Sequence, residues 1–189
     1  MPSAAPSPIA LPADVPTRRM QRRLHRCVPL VAYEKGSPPT FLYTSGRANR
    51  CNPAGIQCLY FSESEEVAAA EYGLQWVGTD AGKQPKVSFQ AAVSFRILDL
   101  EKPETLRSLG LTAANLTEPW RGKPRTRLQE IGAAVSRQAS VAAIRYPSNA
   151  ARRGKSRGWN VAIFPEALRP PDRVEILGPD DVPLEVLPR

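Results

Sequence analysis

The sequence predicts an α+β domain, with strands mixed among few helices rather than regular βαβ units. Three observations carry this expectation. Residues 86–98 alternate, with Val87, Phe89, Ala91, Val93, Phe95 and Ile97 on one face, which is the period of a half-buried strand. Ser62-x-x-Glu65 is a capping box that opens an alanine-rich helix. Residues 174–177 and 184–187 bracket the turn GPDD and read as a terminal hairpin. A chain of 189 residues holds one domain plus a tail, long enough to bury a core without disulfides.

Taken in order, residues 1–17 are Pro, Ala and Ser with few large apolar groups, and cannot offset their own ordering entropy. The expected division is a flexible tail over residues 1–20 and a folded domain over residues 21–189 that ends in a strand pair. Residues 17–26 suit a short basic helix, residues 28–33 a first strand, residues 36–40 a turn and residues 41–43 a short extended piece. Gly46, Pro53 and Gly55 make residues 44–56 a loop. Residues 56–61 are the next strand. The helix opened by Ser62 runs through Val67 to Glu71 and ends at Gly73. After the long strand, residues 99–104 cap a short helix ending near Gly110. Residues 111–124 read as a loop, residues 126–138 as a helix with Leu128, Ile131, Ala134 and Val135 on one face. Residues 141–146 are a strand cut by Pro147, residues 149–158 a basic loop, and residues 159–164 a strand.

No apolar run approaches the ~18 residues of a membrane span, and residues 9–15 are too broken by proline and Asp14 for a secretory core. Cys27, Cys51 and Cys58 make no metal spacing with His25, the only histidine. They are expected to be free thiols in a cytoplasmic protein. The net charge of +8 is uneven. Arg18, Arg19, Arg22, Arg23 and Arg26 form one cluster; Arg152, Arg153, Lys155 and Arg157 form another. Such clusters neutralise nucleic-acid phosphates, hold a nucleotide or meet an acidic partner. No zinc-finger spacing, aromatic RNP-like strand or helix-turn-helix accompanies them.

Residues 46–73 carry the candidate chemistry. Arg50 sits in a tight loop beside Asn52, Pro53 and Gly55, where a planar guanidinium suits bidentate contact to a pyrophosphate; the alternative is a surface-loop arginine. Glu71 has Ala68 and Val67 at i−3 and i−4, so it lies on the apolar side of its helix. A carboxylate there is costly unless paired or working. The alternative, a partly exposed Glu near the helix C-terminus, is opposed by the macrodipole. Tyr60 either stacks on a base or ring or is a core tyrosine with a satisfied hydroxyl. Ser148 follows Pro147 at a strand end, a place where ligand contacts gather; a cap or turn serine is the alternative. Without a histidine near Ser148 a Ser-His-Asp hydrolase is not expected, and both a P-loop and a dinucleotide glycine fingerprint are absent.

Arg26, RxNxxG at residues 50–55, the strand LYFS, Glu71, IRYPS ending in Ser148, and Asn160 in WNVAIFP occur in an order that resembles the RES domain, over roughly residues 24–168. The family is named for its Arg, Glu and Ser. The resemblance implies a mixed, split β-sheet flanked by helices, like that of ADP-ribosyltransferases. It implies a toxin of a bacterial toxin–antitoxin pair with an Xre-type antitoxin, acting on NAD+ as substrate and needing no metal. The reaction it implies is cleavage of the nicotinamide–ribose bond by hydrolysis or phosphorolysis, or else transfer of ADP-ribose to a protein. The competing reading from another class is a non-enzymatic basic protein that binds nucleic acid or an acidic partner. By position, Arg26 and Arg50 would hold the pyrophosphate, Arg50 being preferred to Arg47. Tyr60 would stack near the nicotinamide or its ribose. Glu71 would bond the ribose hydroxyls and stabilise positive charge, and Ser148 would position the ribose or the carboxamide. Direct nucleic-acid binding is expected only through the antitoxin.

Overall fold

A computed structural model describes residues 10–35, 40–83, 85–122 and 125–188. Residues 1–9 of the expected tail and residues 36–39 of the expected turn therefore lie outside the described residues. Leu11 is already buried against the core, and Val15 packs on it. The chain thus enters the fold before residue 20.

The central element is β3 (Lys86–Asp99), where the predicted alternation holds: Phe89, Ala91, Val93, Phe95 and Ile97 are buried. Along one edge it pairs antiparallel with β1 (Arg18–Pro29), from Arg18 opposite Ile97 to Pro29 opposite Lys86. Residues 17–26 are therefore strand rather than the expected helix. The basic run has helix-compatible residues, but the ladder to β3 overrides that weak preference. The strand expected over residues 28–33 ends at Pro29, and Leu30–Lys35 form helix α1.

The other edge of β3 is divided. Gln90–Ser94 pair antiparallel with β6 (Arg173–Leu177), which pairs in turn with β7 (Pro183–Leu187), the expected terminal strand pair. Ile97–Asp99 pair in parallel with β4 (Ala143–Pro147). From β4 the sheet continues antiparallel through β5 (Trp159–Ile163) to β2 (Leu59–Ser62), and returns to β1 through His25 opposite Ser62. The sheet is thus mixed and split where β6 leaves β3 and β4 joins it, in a single α+β domain.

Helix α2 (Glu65–Trp76) covers β1, where Cys27, Ala68 and Tyr72 form a small cluster. Its cap is Ser64, whose hydroxyl accepts from the Val67 N–H, not Ser62, which belongs to β2. The helix also continues past Gly73, so Glu71 stands in its interior rather than its last turn. A short α3 (Asp80–Lys83) precedes β3. Helices α4 (Pro103–Ser108) and α5 (Ala113–Thr117) follow it, the latter inside the stretch expected to be loop. Helix α6 (Arg127–Val135) buries Leu128, Ile131, Ala134 and Val135 as expected. Helix α7 (Asn149–Arg153) replaces part of the expected basic loop, with Ser148 as its cap.

Candidate functional site

Strands β2, β5 and β4 set one row of side chains. Ser62 lies opposite Asn160, and Asn160 opposite Tyr146, so the three share a face. Onto that face α2 brings Glu71. The Ser148 hydroxyl donates to Glu71 Oε1 at 2.7 Å, and Asn160 Nδ2 donates to the same oxygen at 2.7 Å. Ser62 Oγ donates to Asn160 Oδ1 at 2.7 Å. Ser148 also accepts the Ala151 N–H at 3.0 Å, so it is both a cap serine and a partner of Glu71. Glu71 and Ser148, 77 residues apart in sequence, are thereby brought together.

Arg26 approaches from β1. Its Nη1 donates to the Tyr60 carbonyl at 2.7 Å, while its buried Nε has no hydrogen-bond partner among the described residues. Burial lowers its pKa from the ordinary arginine value, and Tyr146, Cys58, Tyr60 and Cys27 offset part of that. These neighbours are phenols and thiols. Burial pushes Tyr60, Tyr146 and Cys58 well above their usual values, so they stay neutral. Among the described residues, Arg26 has no carboxylate partner.

Arg50 is held by the loop it sits on. Its Nη1 donates to the Leu116 and Glu118 carbonyls, both at 3.3 Å, at the end of α5. Its backbone N–H donates to Asn49 Oδ1 at 2.8 Å. Asn52, fully buried, knots the loop by donating to the carbonyls of Arg47, Pro53 and Ile56. Helix α6 braces the loop from outside: Gln129 Nε2 donates to the Asn49 carbonyl at 2.7 Å, and Gly132 lies against the Cys51 carbonyl. Arg47 is exposed, whereas Arg50 is half-buried and acts electrostatically on Tyr146, as Glu71 does. Arg50, not Arg47, faces the interior.

Tyr60 is buried, and its hydroxyl is used at both ends: it donates to Asn52 Oδ1 at 2.9 Å and accepts the Cys51 N–H at 2.9 Å. This corresponds to the core-tyrosine alternative, with the phenol tying β2 to the Arg50 loop instead of waiting for a ring. Sequence reasoning passed over Tyr146, Ser62 and, as a partner of Glu71, Asn160. Alternation along IRYPS would have placed Tyr146 on the face opposite Arg145. Burial, Cys51 and Glu71 raise the Tyr146 phenol, and Arg50 opposes them.

A cavity of about 270 Å³ opens beside Ser148 and is lined by Glu101, Pro147, Arg152, Ser156, Arg157, Gly158 and Trp159. Arg26, Arg50 and Glu71 do not line it, so it meets the charged constellation only at Ser148. Outside this void, the residues brought together are two guanidiniums without acid partners among the described residues and one carboxylate held by neutral donors.

A family model described as the RES domain matches residues 17–186. No curated protein matches the chain. The fold is similar to that of a solved structure described as the M. tuberculosis MbcT–MbcA toxin–antitoxin complex, with 17% identity, a TM-score of 0.56, and coverage of 87% of this chain and 88% of that one. At that identity the likeness establishes the fold.

Proposed function

The chain belongs to the RES domain family, and from that premise we propose that it is an NAD+-consuming toxin of a bacterial toxin–antitoxin pair. In this reading it cleaves the nicotinamide–ribose bond by hydrolysis or phosphorolysis. One observation carries the reading: Glu71 is fixed by Ser148 and Asn160 on a site whose guanidiniums, Arg26 and Arg50, lack carboxylate partners among the described residues. A ligand with a diphosphate at one end and a reacting ribose at the other is complementary to that polarity.

Arg26 and Arg50 hold the pyrophosphate, the first through its unpartnered Nε. As the bond between nicotinamide and ribose breaks, nicotinamide leaves as a neutral base with the bonding pair. Positive charge then develops on the ribose. A carboxylate already fixed in place stabilises that charge without reorganising, and does so more in the transition state than in the ground state. Water or inorganic phosphate then attacks the ribose carbon and loses a proton to solvent, giving ADP-ribose or its 1-phosphate. Ser148 orients Glu71 and the adjacent ribose. Tyr60 sets the height of the Arg50 loop. An Xre-type antitoxin is the partner that would keep such an activity in check, and an acidic segment from it would complement Arg26 and Arg50.

The test is nicotinamide release from NAD+ by the purified chain, with and without phosphate. Release by wild type, and its loss in Glu71→Ala, is the expected result. A folded wild type that releases none would overturn the reading. Labelled NAD+ incubated with lysate separates hydrolysis or phosphorolysis from transfer to protein.

A further inference from the structure

We propose that Ser62 and Asn160 are positioning residues that aim Glu71, leaving its Oε2 as the oxygen presented to the ribose. This rests on the assignment of Glu71 above and adds the residues through which that carboxylate is set.

The direction of every bond in the chain is determined by the carboxylate. A carboxylate oxygen facing an amide takes its N–H end, because an amide oxygen there would set acceptor against acceptor. Asn160 Nδ2 therefore faces Glu71 at 2.7 Å, and Oδ1 faces Ser62. Ser62 has one hydroxyl hydrogen, which must go to Oδ1 at 2.7 Å. Ser148 likewise has one, spent on Glu71 Oε1, while its lone pair takes the Ala151 N–H. Oε1 thus carries two donors, and among the described residues no donor reaches Oε2.

Ser62, Asn160 and Ser148 are all buried. Burying three polar side chains is costly unless every group is paired, and here the pairing closes only with an acceptor at position 71. The strand register makes the device rigid, because Ser62 and Asn160 are directly opposed in the β2–β5 ladder. Asn160 touches Glu71 rather than the reacting atoms, so its effect passes through that carboxylate.

Nicotinamide release by the full chain gives kcat and KM for wild type, Ser62→Ala, Ser62→Thr, Asn160→Ala and Asn160→Asp, each checked for folding by its melting temperature. Losing one donor from a charged acceptor is worth roughly ten- to a hundredfold. Asn160→Ala and Ser62→Ala are expected to lose that much kcat with KM within about threefold, since the pyrophosphate contacts remain. Ser62→Thr keeps the hydroxyl and restores most of the rate.

Asn160→Asp is nearly isosteric and supplies a readout that packing would not move. The introduced carboxyl repels Glu71 when ionised and donates to it again when protonated. Of the other groups around the pair, the Tyr146 phenol and the Ser62 and Ser148 hydroxyls do not titrate between pH 5 and 8. His25, opposite Ser62 in the β1–β2 pairing, and Arg50, which acts on Tyr146, are common to both proteins, so the ratio removes their contribution. The ratio of Asn160→Asp to wild-type kcat should therefore rise as pH falls from 8 to 5. A flat ratio, or an Asn160→Ala variant with wild-type kcat, would overturn the proposal. Should wild type release no nicotinamide, the enzymatic reading fails by itself. Crystal structures of wild type and Asn160→Ala then decide the positioning claim, which is wrong if Glu71 keeps its rotamer without the amide.

Discussion

In the proposed NAD+ reading Glu71 serves rate and the two arginines serve binding, and single substitutions should separate the two. Glu71→Gln keeps the shape but removes the charge that meets the developing cation, so kcat should fall about 10²–10³-fold with a small change in KM. If Arg50 holds the pyrophosphate as proposed, Arg50→Ala should raise KM about ten- to a hundredfold, whereas Arg47→Ala, at an exposed position, should leave KM within about twofold of wild type. Steady-state kinetics on the three variants checks both statements, and equal KM effects at positions 47 and 50 would reverse the assignment. Tyr60→Phe discriminates the two parts available to that residue. If the ring stacked on substrate, phenylalanine would serve as well. Because its hydroxyl bridges Asn52 and the Cys51 N–H, its loss should cost about 1–3 kcal/mol of stability and raise KM through a loosened Arg50 loop. A variant melting and binding like wild type would return Tyr60 to the stacking role. At this scale residue type and local spacing nominated Arg50, Glu71 and Ser148 with a structural alternative beside each, and the resemblance to the RES domain chose among them. Ser62 and Asn160 were not readable as partners of Glu71, because their link runs through a strand register spanning 98 residues of sequence.

The site depends on elements that hold its loop, and α6 is the clearest case. Its capping box, in which Thr126 and Gln129 bond reciprocally, leaves Gln129 Nε2 free to reach the Asn49 carbonyl. One turn further on, a Cβ at Gly132 would stand 1.7 Å from the Cys51 carbonyl oxygen. That is backbone against backbone and cannot be relieved by a rotamer change. Gly132→Ala should therefore push residues 50–52 off the helix, lower stability by about 1–3 kcal/mol and raise KM for NAD+. Thermal melting with a KM measurement tests this, and an unchanged variant would mean that the loop is not braced by α6. The elements most readable beforehand were those whose signal is local: the alternation of β3, the apolar face of α6 and the turn between β6 and β7. β1 was taken for a helix because its pairing partner lies as many as 79 positions away, from Arg18 to Ile97. The start of α2 was placed two residues early because Ser62 and Ser64 are both competent caps, and only the β2–β5 ladder claims the first of them.

Across the whole molecule, β2, β5 and β4 present two different chemistries on their two faces. Ser62, Asn160 and Tyr146 face the site, while their chain neighbours Glu63, Trp159 and Arg145 face the other way. There the buried Arg145 guanidinium bonds Glu63 at 2.7 Å, Asp99 at 2.9 Å and also Glu101, with its Cζ 4.1 Å from the Trp159 ring centre. Arg18 and Arg22 supply second cations to Asp99 and Glu63, at 2.6 and 2.8 Å. This network links β1, β3, β4 and β2 across the division of the sheet, directly behind the strand that delivers Tyr146 and Ser148. The split topology was readable only through family resemblance, since a break in pairing along one edge of β3 leaves no periodic trace. The network itself left no trace either, its members being scattered from residue 18 to residue 145. Burial raises the pKa values of Asp99 and Glu63, but the hydrogen bonds and charge of the arginines outweigh it and hold both below their ordinary carboxylate values. A folded pKa below the unfolded one adds stability that is fully present above the unfolded value of about 4, and that is lost as pH falls through the folded value. The melting temperature should therefore hold between pH 5 and 7 and drop steeply below about pH 4. Arg145→Met leaves Asp99 and Glu63 with one cation each and takes away the Glu101 contact, and should cost about 3–5 kcal/mol near neutrality. It should also flatten the acid limb, because the carboxylates have less to lose on protonation. Melting curves of both proteins from pH 2.5 to 7 decide the matter: parallel acid limbs would show that the Arg145 network does not set the stability of the sheet.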